Sequence, residues 1–423
     1  MRILLKKAHI IAPGQALNGL IRDLLIEDGV IRQIAGEINI VGDRTISREN
    51  LHISPGWIDV FAHFCDPGYE YKEDLESGAK AAAAGGFTEV MIIPNTHPPL
   101  ESKAQIEYII RKSQHLPVNI RPMGAISKDL EGKALAEMYE MHRSGAVAFS
   151  DGTNPVQSSG LFLKALQYVK AFDGIIIQIP DDSGISQHGL MHEGLWSTRL
   201  GMPGKPAIAE EMLLERDLKL LKYTESKLHF TGVSLKKSVD LIRAAKAEGL
   251  QVTCSVTPYH LLLSDENLQQ YDSVFKVNPP LREGDDIMAL RNAVKEGVID
   301  CIATHHFPQD VDGKQKEFEY AGEGMIGLES CFGVLGKALE NLTVEQKVSL
   351  LAVNARKIFG IPIPEIKEGS AADITLFDPE ISWIFEENGI HSKSKNSPFK
   401  GSKLKGKPLG IINKNRFYTD SSF

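Results

Sequence analysis

Residues 55–98 read PGWIDVFAHFCDPGYEYKEDLESGAKAAAAGGFTEVMIIPNTHP. Residues 56–61 and 87–93 are short apolar runs of strand length, bounded by turn residues. Between them, 73–84 reads as a helix that stops at Gly85-Gly86, where glycine can close the last turn. The segment is therefore one strand–helix–strand unit. Asp59, Phe61 and His63 stand at the end of its first strand and Asn95 at the end of its second.

The same alternation continues outward. GWIDVF, FTEVMII, NIRPMGAI, GAVAFS, GIIIQI, KLHFTGV, LQVTCSV and VIDCIAT are eight strand candidates, and helical stretches at 132–143, 210–223 and 235–248 separate several of them. Eight such units between about residues 54 and 359 predict a (β/α)8 TIM barrel. Residues 1–53 and 360–423 read as short strands with turns, including an IEDG hairpin signal at 26–29. They predict a small β-sandwich assembled from both termini. In a barrel, chemistry gathers at the C-terminal strand ends. Here those ends carry Asp151, Gln178, Asp181, Gly232, Ser234, Tyr259, His260, His305 and His306 as well.

Composition narrows the partners. A formal net charge of -8 argues against a nucleic-acid or anionic-membrane surface, and the basic stretch 393–407 reads as a solvated loop and edge. No apolar run approaches the ~20 residues that span a bilayer. The N-terminus lacks a signal-peptide pattern, and four scattered cysteines suit a reducing compartment, so a cytoplasmic location is expected. Residues 322–327 match G-x-G-x-x-G, but the charged segment before them is no buried strand, so a dinucleotide loop is not expected.

The 55–98 segment, GAVAFSDG, LGMPGKPAIAEEMLLERD, LHFTGVS, VTPYHLLL, FKVNPPLR, IDCIATHH, GMIGLES and EGSAADITLFDP follow one another along nearly the whole chain. In this order the sequence resembles the dihydroorotase family of metal-dependent amidohydrolases. The resemblance implies a barrel holding two zinc ions bridged by a carboxylate and hydroxide, with an Asp after strand eight moving the proton. At the positions concerned, the first histidine of the H-x-H pair is Phe61, and its second is His63. The arginine that clamps the substrate carboxylate is Cys65, and the bridging carboxylate is Asp151. The strand-five histidine is Gln178, the strand-six histidine is Gly232, and the catalytic Asp is His305, followed by a matching His306. Asn95 and Asn278 match substrate-contacting positions.

Phe and Gly carry no donor atom, and a Gln amide is a poor zinc ligand. These replacements lead to the expectation of a non-catalytic dihydroorotase homologue of the pyrimidine-biosynthesis context. It would hold no cofactor, associate with itself, and serve as a structural partner of aspartate carbamoyltransferase. The alternative is an active cyclic-amide hydrolase in which His63, Asp151 and His305 share one zinc. Without a metal, His63 and His305 are expected to hydrogen-bond to Asp151, and Cys65 to be an inert packed thiol.

Overall fold

The computed structural model describes residues 1–40 and 42–419. All eight strand candidates fall on one closed parallel barrel. Trp57–Ala62 pairs with Phe87–Ile92, which pairs with Asn119–Pro122. The fourth segment forms no ladder, and single bridges from Phe149 to Gly124 and Ile176 carry it into Ile176–Gln178. Leu228–Phe230, Val252–Val256 and Cys301–Ile302 follow in parallel register. A bridge from Ala62 to His306 closes the ring.

Side chains alternate in and out along these strands. Outward residues such as Ile176, Phe230, Cys254 and Val256 meet the surrounding helices. Ile58, Val60, Met91, Ile93, Met123, Ala148, Ile175, Ile177 and Ala303 fill part of the interior. Strands six and seven break this pattern by placing His229, Thr231, Thr253 and Ser255 at the alternating inward positions.

Both termini build one eight-stranded sheet. Ile374–Ile384 joins His52–Pro55, and Arg2–Ile10 continues from there to Ile21–Glu27. Asp28 and Gly29 both take positive φ, as the IEDG hairpin signal requires. Gly56 alone separates the sheet strand from the first barrel strand, and a Cβ there would lie 1.9 Å from Asp373 Oδ1. Beside it the buried Arg356 donates to Glu89 Oε2 at 2.5 Å and to the Gly56 carbonyl at 3.2 Å.

Two local expectations change. Helix forms only over Met138–Arg143 rather than 132–143, because residues 134–136 run back along 126–128: Leu135 bridges Ser127, the Lys128 amide donates to the Ala134 carbonyl and the Ala136 amide donates to the Ile126 carbonyl. The stretch 393–407 is no solvated loop: Ser394, Asn396 and Ser397 are buried, and Lys403–Asn413 is a strand of the terminal sheet. With Ser392 it forms a strap over the barrel. Ser392 Oγ and the Lys393 amide donate to Glu73, while Asn396 donates to the Phe307 and Gly324 carbonyls at 3.1 Å and accepts from the Gln309 amide.

Candidate functional site

The C-terminal strand ends bring together most of the residues singled out from the sequence, but with other partners than expected. Asp59 accepts from the Thr304 amide at 2.6 Å and its hydroxyl at 2.9 Å, stapling strand one to strand eight. Burial pushes this carboxyl up to about 6. Phe61 lies against the His305 ring, centroids 4.7 Å apart, and Phe307 stands edge-on to both. The part-buried His63 uses Nε2 to reach the Asn95 carbonyl at 2.8 Å, and burial lowers it to about 4.

Asp151 takes neither histidine, which corrects the expected His63–Asp151–His305 contact. Its oxygens accept from the Ile126 and Ser127 amides at 2.8 and 2.9 Å and from the Ser127 hydroxyl at 2.5 Å. They cap the turn after strand three, while burial holds the carboxyl at about 6. Asn95 spans from strand two to the strand-four loop, donating to the Asp151 carbonyl at 3.3 Å and Thr153 Oγ1 at 3.1 Å.

Gln178 does not offer its amide to the mouth. Inward positions on strand five belong to Ile177 and Ile179, and Gln178 Nε2 instead donates to Asp217 in the helix Ile208–Thr224 at 2.9 Å. Its oxygen accepts from the Val156 amide at 3.2 Å. Cys65 is buried with φ of 58°, and burial raises its thiol well above the usual range. His306 spends Nε2 on Glu73 at 3.4 Å and accepts from the Gly327 amide at Nδ1, so it supports the strap.

Gly232 and His305 form a matched pair. A Cβ on Gly232 would lie 2.7 Å from His305 Cε1 and 3.2 Å from Pro279 Cδ. The imidazole thus occupies the room that a strand-six side chain would need. His305 Nε2 meets Thr231 Oγ1 at 2.8 Å, while the buried Nδ1 has no hydrogen-bond partner. Burial lowers this imidazole to about 3.

Toward the rim, Lys205 Nζ donates to Asp181 Oδ2 at 2.6 Å and to Asn278 Oδ1 at 2.7 Å. Asp181 also lines a cleft of 350 Å³ with Glu131, Thr153, Asn154, Gln157 and Ser183, between the loops that follow strands three, four and five. Lys205 was not singled out from the sequence; its signal was a lone cation inside the GMPGKP motif.

This donor set does not fit a zinc pair. Phe61 and Gly232 supply no ligand atom, and Gln178, Asp151, His63 and His305 are each engaged in separate places. Among the described residues no three His, Cys, Asp or Glu gather as a metal site, so the single-zinc arrangement of His63, Asp151 and His305 is not formed either. No helix among the described residues is long and apolar enough to cross a membrane.

Comparison with known proteins decides the family. The dihydro-orotase-like family model matches residues 51–238, and the amidohydrolase family model matches 210–414. A dihydroorotase from Acetivibrio thermocellus is 42% identical over 408 residues, covering 96% of each chain. One from Geobacter metallireducens is 42% identical over 410 residues, again 96% of each. The chain belongs to the dihydroorotase family. The L-hydantoinase of Arthrobacter aurescens superposes with a TM-score of 0.86 at 24% identity, covering 99% of this chain and 96% of that one. This likeness shows the amidohydrolase barrel fold.

Dihydroorotase relatives this similar along their whole length overturn the expectation of a non-catalytic assembly partner. The cyclic-amide hydrolase reading fits the relatives better.

Proposed function

We propose that this dihydroorotase-family chain is a hydrolase of a cyclic amide of the dihydroorotate class, opening the ring at an amide bond and closing it in reverse. The observation that carries the reading is the 42% identity to a dihydroorotase over 96% of both chains. The site adds features that suit the task. A buried neutral imidazole at the strand-eight position keeps one nitrogen without a partner, and Lys205 with Asn278 forms a cationic, hydrogen-bonding rim. No step is assigned to a zinc pair, since the donor set does not fit one.

The test is ring opening of dihydroorotate by the purified full chain, followed by loss of the ring's ultraviolet absorbance, with and without added divalent metal. Turnover above the protein-free rate supports the reading. No turnover in either condition refutes it.

Self-association and a complex with aspartate carbamoyltransferase are finer proposals for this enzyme, suggested by family resemblance. Light scattering tests the first and co-purification the second. A cytoplasmic location is proposed with them, supported by four free cysteines.

A further inference from the structure

A cleft of 320 Å³ lies between the helix Gly284–Glu296 and the chain that leaves the helix Cys331–Ala338. None of its lining residues belongs to the C-terminal strand ends of the barrel. Met288, Arg291 and Lys295 stand three and four residues apart, which puts them on one helix face as one wall. Lys337 and Glu340 stand on the other wall, where the buried Leu339 and Leu342 form an apolar base.

The chain carries a net charge of -8, yet this cleft gathers three cations, Arg291, Lys295 and Lys337, against the single carboxylate of Glu340. Among the described residues none of the three cations takes part in an ion pair. Cations close by behave differently: Arg243 reaches Glu296 at 2.8 Å, and Lys246 reaches Asp300 at 2.6 Å. Arg291 is half-buried, and its Nε donates to the Leu261 carbonyl at 2.7 Å. That bond orients the guanidinium. Its two terminal nitrogens, with their four N–H donors, have no protein acceptor among the described residues. A guanidinium already held in place loses little further freedom when a ligand arrives.

We propose that this cleft binds a small phosphorylated anion, with Arg291 as the fork and Lys295 and Lys337 as flanking charges. A lone carboxylate brings one charge and two oxygens, too few for three cations. A diphosphate brings more charge, and enough terminal oxygens to meet a guanidinium and two ammonium groups together. Nucleic acid needs an extended basic track, and neither the size of the cleft nor the acidic chain around it supplies one. Leu339 and Leu342, with the exposed Met288 opposite, suit an organic body attached to the phosphoryl group. The site lies apart from the barrel mouth, so it does not depend on the hydrolase reading above.

Isothermal titration calorimetry of the full chain with inorganic pyrophosphate and with adenosine diphosphate tests the site, at low ionic strength and without added metal. One equivalent of each is expected to bind, and the nucleotide more tightly because its body covers the apolar base. Equal affinities keep the site and assign it to the inorganic anion. Arg291→Met is expected to weaken binding about tenfold or more, the loss of charge-assisted hydrogen bonds. The double variant Lys295→Met/Lys337→Met removes two exposed side chains, so folding is spared, and a similar loss is expected. Lys80→Met, which removes an exposed cation on the helix Leu75–Ala84, is expected to bind as the wild type does. Binding of neither anion overturns the proposal, as does wild-type affinity in both cleft variants. An equal loss in Lys80→Met overturns it too, since attraction to surface charge alone would then account for binding. These titrations read no turnover, so the binding site and the hydrolase reading stand or fall separately.

Discussion

Gly232→Ala tests the strand-six and strand-eight pairing directly. Gly232 has φ of 70°, where an L-residue costs about 1–2 kcal/mol. Its new Cβ would also stand 2.7 Å from His305 Cε1 and 3.2 Å from Pro279 Cδ, in a fully buried setting. Overpacking of that kind adds about 1–3 kcal/mol. The single variant should therefore lose about 2–5 kcal/mol. In a His305→Asp background no atom occupies the Cε1 position, and Asp tolerates the left-handed backbone that His305 adopts at φ of 44°. There the cost of Gly232→Ala should fall to the backbone part, about 1–2 kcal/mol. The cycle of wild type, both single variants and the double variant should then show a coupling of about 1–3 kcal/mol. Urea denaturation followed by tryptophan fluorescence measures all four. Additivity within about 0.5 kcal/mol would refute the claim that the two positions compete for one space.

Glu89→Gln removes the near carboxylate of the buried Arg356 and leaves only Asp373 at 3.6 Å, so a loss of about 1–3 kcal/mol in urea denaturation is expected; an unchanged stability would contradict the role given to the Glu89–Arg356 pair. His260 is buried, and burial holds it at about 4 against an ordinary 6.5. A lowered histidine contributes stability above its unfolded value and loses it as pH falls toward the folded one. His260→Gln should therefore flatten the stability–pH slope between pH 6.5 and 4 by up to about 1.4 kcal/mol per pH unit. An unchanged slope would show that His260 protonates freely in the folded chain. Equilibration with zinc, gel filtration and elemental analysis should recover no tightly held zinc pair, and two equivalents retained per chain would refute the donor-set argument.

The fold was legible because barrel strands announce themselves locally. Each of the eight apolar runs ends at a turn residue, and Gly86 and the Asp28-Gly29 pair stop or turn the chain where their backbone freedom predicts. The site was legible only as a set of positions. Which atom each residue holds depends on strands far away in sequence: Asp151 on the Ser127 turn, Gln178 on Asp217, His306 on Glu73. The residue spacing of a strand end does not reveal that Gln178 faces the helices. The polar interior of strands six and seven does leave a signal, since His229-x-Thr231 and Thr253-x-Ser255 repeat polar residues at the period of a buried strand face. The first half of the helix expected over 132–143 is lost for a non-local reason of the same kind: its composition suits a helix, but residues 134–136 pair with 126–128 at the turn held by Asp151.

The strap has a bearing on how the molecule comes into being. Ser392 closes on Glu73 across 319 residues, and Asn396 pins the strand-eight loops from a position later still. During synthesis the last barrel strand emerges well before the segment that roofs the mouth. A nascent chain can therefore close its ring while Glu73, fully buried in the finished protein, still faces water. The mouth is therefore roofed only once residues 392–396 have emerged, after every strand of the barrel.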